Sequence, residues 1–207
     1  LFAWTGLAFV ASWLTGAVAS LEAFEARFFV DPSSVYLAGR LLGVACGVAG
    51  VLATWALARR LFGQGVALAS AAFLAVAPTA VRDAHYVKHD VPVTLLVVLA
   101  MLAMARVWPL APARPEAIPG QGGAAANPLP AARPRASRPA VLAAGALVGA
   151  AASTHYYAVF LILPLGLACV WQAGDRRTAV RALAAAGGAA VAVFFLLSPF
   201  ILVEPAT

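Results

Sequence analysis

Tyr36–Ala58 reads YLAGRLLGVACGVAGVLATWALA, and this stretch decides the fold. Its single charge, Arg40, lies near one end. At about 1.5 Å of rise per residue, such a run spans the roughly 30 Å hydrocarbon core of a bilayer. Comparable runs follow at Phe62–Ala80, Val91–Val107, Pro139–Ser153, Tyr157–Trp171 and Ala179–Leu202. Pro139–Ser153 and Tyr157–Trp171 are short for a crossing. The chain as a whole is 63% hydrophobic and 11% charged, with a mean hydropathy of +0.91. Soluble domains do not reach that balance. The expectation is an all-α, polytopic transmembrane helix bundle of about six full spans. An N-terminal interfacial or re-entrant helix precedes them.

The charges order themselves around these spans. The isoelectric point near 10.2 would suit a nucleic-acid partner, but the basic residues mark topology instead. Arg59 and Arg60 follow the first span. Arg106, Arg114, Arg133, Arg135 and Arg138 flank or occupy a Pro/Ala-rich stretch, and Arg176, Arg177 and Arg181 separate the last two spans. Placed on one side, they make that side cytoplasmic by the positive-inside rule. The opposite side receives Glu22, Glu25, Asp31, Asp83, Asp90 and Glu204 and all three histidines, His85, His89 and His155. Acid–base capacity is thus segregated onto the extracytoplasmic face of a multi-pass protein of the plasma membrane, with membrane lipids as its surroundings and no nucleic acid as partner.

Other segments fit a single transmembrane domain over residues 1–207, read as a fragment of a longer chain. Residues 1–35 form an interfacial segment of a first outer loop: Leu1–Ser20 is apolar but interrupted, and Leu21–Val30 interleaves charges with aromatics. Residues 108–138, rich in Pro, Ala, Gly and Arg without periodicity, read as a flexible cytoplasmic linker. Gly43 with Gly47, and Gly145 with Gly149, are two GxxxG pairs that permit close helix approach. Cys46 and Cys169 sit inside apolar spans as small hydrophobes.

The densest polar run is Val81-Arg82-Asp83-Ala84-His85-Tyr86-Val87-Lys88-His89-Asp90-Val91-Pro92. Ionisable groups at a membrane boundary are costly to place, so such a cluster reads as a functional site by default, the alternative being a solvated loop between two helices. Asp83 and Asp90 are carboxylates able to bind a metal, take a proton or hold a sugar hydroxyl. Arg82 and Lys88 suit phosphate, one as a planar fork and one as a point charge. His85 and His89 share a face only if a helix runs through them, and then they could ligate a divalent cation. No metal set is assigned on that spacing, and a divalent cation stays open as a cofactor. Arg40 either snorkels to the headgroups or contacts an anion. His155 and Tyr156, at a second outer junction, offer a platform for a sugar or phosphate, and Glu204 returns an acid to the same side.

The ordered segments Tyr36-Leu37-Ala38-Gly39-Arg40-Leu41-Leu42, Ala58-Arg59-Arg60-Leu61-Phe62-Gly63, Ala77-Pro78 through His85 to Pro92, Thr154-His155-Tyr156, and Ser198-Pro199-Phe200 to Glu204-Pro205 carry a resemblance. They resemble the polyprenyl-phosphate-dependent, GT-C-type glycosyltransferases, and most of all the bacterial branch of the dolichyl-phosphate-mannose–protein mannosyltransferase family. The resemblance implies a hexosyl or pentosyl transfer with inversion. The donor is a polyprenyl-phosphate-linked sugar and the acceptor a protein or lipid outside the cytoplasm. It places an acidic residue of the second outer loop at Asp90. The resemblance also implies that the family's catalytic base resides in an acidic pair of the first outer loop, which is expected ahead of Leu1 and so outside these residues. Where His155 and Glu204 stand, the family often has Lys and Asp. Arg82, Asp83, His85, His89 and Lys88 are assigned on their chemistry alone. The competing expectation is a transporter or channel subunit with an outer polar vestibule. Transporters place ionisable groups near mid-membrane, and the spans here are almost free of them.

Overall fold

The computed structural model describes residues 2–108 and 137–199. Residues 109–136 of the expected linker, Arg114, Arg133 and Arg135 among them, lie outside this range, as does Glu204. The described residues are helical without strands: α1 (Phe2–Leu14), α2 (Leu21–Val30), α3 (Ser33–Phe62), α4 (Gln64–Val76), α5 (Pro78–Ala84), α6 (Asp90–Val107), α7 (Arg138–Thr154), a 3₁₀ turn (Tyr156–Leu161), α8 (Ile162–Gln172) and α9 (Arg176–Leu197). The chain forms two compact units, residues 1–98 and 99–207, with the boundary inside α6.

Among the described residues three helices are long and apolar enough to cross a membrane, α3, α6 and α9, and a bent pair, α4 with α5, makes a fourth if counted as one span. The expected six full spans are therefore not what the helix lengths provide. Pro78 is one reason. It forces Ala77 into extended backbone (φ −62°, ψ 118°) and then opens α5 as its first residue. A proline disfavours helix in the residue before it but suits the first helical turn. The run Phe62–Ala80 is thereby cut into two helices bent by 59°. Tyr157–Trp171 is shortened in another way, since its first turns wind as 3₁₀ before α8 begins. Pro139–Ser153 lies within α7, which has 17 residues.

Local chemistry sets the remaining ends. Gly16 (φ 73°) turns the chain after α1, and Gly63 (φ 90°) ends α3 while its N–H donates to the Arg59 carbonyl. Only glycine takes these positive φ values without a Cβ penalty. Ser20 caps α2 by accepting from the Ala23 N–H, and Asp175 caps α9 by accepting from the Thr178 N–H at 2.8 Å. Asp31 accepts from the Ser33 N–H at the start of α3. The Ser33 hydroxyl and N–H, and then Arg27, hold its carboxyl below the usual carboxylate range. Protonating Asp31 weakens that bond, so the protection of the Ser33 amide, its exchange rate relative to an unstructured amide at the same pH, is expected to hold until the pH falls below the ordinary carboxylate range and then to drop. Protection unchanged in acid would remove Asp31 from the capping role.

In the first unit α3 is the spine, with α4 and α5 folded back along it. The approach is closest at Gly43, where an added Cβ would lie 2.7 Å from the Ala84 carbonyl oxygen, and next at Gly47, where it would lie 3.3 Å from the Ala84 Cβ. Hence this GxxxG pair seats the C-terminal end of α5. Gly43→Ala is expected to cost about 1–3 kcal/mol of stability by overpacking against backbone. Gly65→Ala on α4, where a Cβ meets nothing within 4 Å, is the matched control. Equal melting temperatures for the two variants would refute the tight seat.

The second unit packs α7 against α9 through its own glycines. Gly145 lies on Ala186 and Gly149 on Ala190, with no room for a Cβ at either. Both partners advance by four residues, so α7 and α9 run parallel. Val107, Val141, Val148, Leu165 and Cys169 are among the buried residues of the surrounding core. At one end of this unit Trp108 stacks on Trp171, 5.4 Å between ring centroids. Because α7 and α9 are parallel, Arg138 and Arg176 begin their helices at a common end. The C-terminal ends of both helices, Thr154 and Leu197, lie together at the other.

Candidate functional site

The first unit holds an open cavity of about 700 Å³. Its walls are aliphatic: Val44, Val48 and Val51 from α3, Leu74 from α4, Ala80 from α5 and Leu95 from α6 are among them. Gly47 and Gly50, having no side chains, leave it open along α3. Three ionisable residues line it, Asp83, His85 and Asp90. The turn between α5 and α6 thus brings together three of the residues expected from the sequence. The fold does this because α5 ends at Ala84 against Gly43 and α6 restarts at Asp90.

Each group is held differently. Asp83 accepts from Arg82 Nε at 3.1 Å, with the Arg82 side chain 65% exposed and the carboxylate 20% exposed. An ion pair in that setting contributes roughly 0–1 kcal/mol and serves mainly to orient. Asp90 opens α6, where negative charge meets the positive end of the helix dipole. Its carboxylate faces His89 Nε2 at 3.7 Å. Its backbone carbonyl accepts from Thr94 Oγ1 at 2.7 Å. His85 Nδ1 lies 2.7 Å from the Val81 carbonyl oxygen. A carbonyl only accepts, so Nδ1 carries the hydrogen and the other ring nitrogen is left to act. Neutral, that Nε2 is an acceptor, and it donates to a phosphate only as the imidazolium. Lys88 reaches over the Tyr86 ring, 5.5 Å from its centroid, and both residues are exposed.

The helix needed for His85 and His89 to share a face is absent. α5 stops at Ala84 and α6 starts at Asp90, so the two histidines sit on an irregular turn. Among the described residues no group of three or more His, Cys, Asp or Glu side chains is placed to hold a metal. Arg40 is exposed on α3, one turn before Gly43, and does not line the cavity. His155 and Tyr156 belong to the second unit and line a separate cavity there. Sequence reasoning passes over Thr94, which lines the first cavity. The available signal is a threonine one turn after Asp90 in an otherwise apolar helix.

Residues 8–112 match the family model of the dolichyl-phosphate-mannose-protein mannosyltransferases. The matched stretch contains the whole of the first cavity and its acidic end. Comparison with curated proteins and with solved structures gave no match.

Proposed function

The chain belongs to the dolichyl-phosphate-mannose-protein mannosyltransferase family, a family of membrane glycosyltransferases, and we propose that it moves a sugar from a polyprenyl-phosphate donor to a protein or lipid acceptor on the extracytoplasmic face. The observation that carries this reading is the first cavity, an aliphatic groove ending in Asp83, His85 and Asp90. A polyprenyl phosphate has the same two-part character. Its chain lies along α3, α4 and α6, and its phosphate sits at the α5–α6 turn within reach of the flexible Arg82 and Lys88 side chains.

In the proposed step an acceptor hydroxyl or amine attacks the anomeric carbon from the face opposite the phosphate. The C–O bond to the phosphate breaks, the configuration inverts, and Asp90 takes the acceptor's proton. The departing phosphate keeps the bonding electrons, and the cationic side chains meet its developing charge. Asp83 orients Arg82 for that contact. Among the described residues no charged side chain is buried. A transporter's mid-membrane ionisable site would require one.

The test uses the intact protein in lipid vesicles and a panel of polyprenyl-phosphate hexoses and pentoses of two chain lengths. Sugar transfer from one donor is expected. Ala80→Trp narrows the groove and should raise KM for the long-chain donor about tenfold, the equivalent of roughly two methylenes left out at about 0.8 kcal/mol each. The short-chain donor should be indifferent to it. Absence of transfer from every donor, with solute flux detected instead, would replace this reading by the transporter.

A further inference from the structure

The second unit holds a cavity of about 750 Å³ that the family match does not reach. We propose that it is a binding site for a lipid alcohol, a long apolar chain ending in a neutral hydroxyl. The bore is apolar, with Val148, Val159, Ile162, Val191 and Phe194 along it. The polar residues lining it are Ser153, Thr154, His155, Tyr156 and Ser198. None of its lining residues is Asp, Glu, Lys or Arg, which sets it apart from the first cavity with its two carboxylates.

The hydrogen-bonding sense of this polar end selects the ligand. Ser153 Oγ and Thr154 Oγ1 both donate to the Ala150 carbonyl, each at 2.9 Å. Their hydrogens are committed, so toward the cavity these oxygens present lone pairs. Thr154 and Ser198, at the C-terminal ends of the parallel α7 and α9, and Tyr156, at the N-terminal end of the 3₁₀ turn, share this mouth, so the helix ends offset one another. A phosphate is an anion, and no Lys or Arg lines the mouth to meet its charge. A hydroxyl donates to it and brings no charge that would need a counter-ion. The His155 ring packs on Tyr156 and Tyr157, with centroids 4.8 and 4.0 Å away, and His155 and Tyr156 wall one side. The site is independent of sugar transfer in the first unit, and its test reads binding alone.

Three photoreactive diazirine probes of equal chain length test the site on the intact protein in nanodiscs: an alkanol, an alkyl phosphate and a plain alkane. Adducts in residues 148–198 are mapped by peptide mass spectrometry. The alkanol is expected to label this segment about tenfold more than the phosphate, the preference one or two neutral hydrogen bonds confer. Ala152→Trp and Val191→Trp each plug the bore and should suppress that labelling. Ser153→Ala with Thr154→Val keeps shape but removes the oxygens, and should reduce the alkanol to the level of the alkane. Equal labelling by alkanol and phosphate overturns the proposal. So does labelling that survives both tryptophans, or a hydroxyl preference that survives the Ala/Val pair.

Discussion

Asp90→Asn is expected to lower the turnover of a polyprenyl-phosphate sugar by about 100-fold or more, the usual contribution of a positioned proton acceptor. The substitution isolates chemistry from folding. The Thr94 hydroxyl bonds to the backbone carbonyl of residue 90, which Asn retains, and Asn keeps the size of Asp at the first residue of α6. Asn gives up only the charge in a 3.7 Å approach to His89, where both side chains are about half exposed, and such pairs contribute roughly 0–1 kcal/mol. Expression and melting temperature should therefore hold while kcat falls. Asp83→Asn should differ in kind. It releases Arg82 from its 3.1 Å ion pair, so its main effect is expected on KM for the phosphate donor. Wild-type turnover in Asp90→Asn would remove this carboxylate from the reaction. A fall in kcat matched by a fall in the amount of folded protein would make its role structural.

Gly145→Ala is expected to be among the most destabilising single-methyl additions in the chain. The added Cβ would overlap the backbone carbonyl of Ala186, and Gly149→Ala would do the same at Ala190. Backbone cannot rotate away as a side chain can, so α7 and α9 must separate. Overpacking of this kind costs about 1–3 kcal/mol, and bulkier residues cost more. Small residues at a membrane-helix interface matter because apolar contact with lipid supplies no competing driving force for association. One separation of the helices relieves both overlaps, so the double variant should be less destabilised than the sum of the two single variants. Gly187→Ala and Gly188→Ala on α9 are internal controls. A Cβ there meets nothing within 4 Å, and the gain in helix propensity is up to about 1 kcal/mol. Thermal unfolding in detergent separates the two classes. Gly145→Ala melting with Gly187→Ala would show that the close approach of α7 and α9 does not hold.

Helices, membrane character and the polar run at Arg82–Asp90 are all legible in the amino-acid order, because each is a property of consecutive residues. Length and hydropathy identify a membrane helix without reference to its neighbours. Tyr36–Ala58 lies whole inside α3, and Val91–Val107 is α6 almost to the residue. The ordered motifs that carry the family resemblance are likewise local, and the family match rests on the same order. Phe62–Ala80 is the exception, where apolarity outweighs a second local signal. Pro78 stands in plain view inside that run, yet hydropathy averages over a break that a single residue makes.

Other features belong to the tertiary structure alone. Two GxxxG pairs are equivalent as sequence, but Gly43 faces the end of a short helix and Gly145 faces a long parallel one. The difference lies in the partner's carbonyl position, which no spacing encodes. The three ionisable residues of the first cavity share a space because the α5–α6 turn folds over α3. Thr94 joins them one helical turn inside, and Arg40 stays outside. The second cavity depends still more on assembly. Ser153, Thr154 and Ser198 read as ordinary polar residues at helix ends. Only the parallel run of α7 and α9 sets Ser153 and Thr154 beside Ser198 at one uncharged mouth. Sequence determines which segments are helices and which residues can carry charge, because those are one-dimensional properties. Which helix ends meet, and therefore which chemistry they select, is decided by packing between segments far apart in the chain.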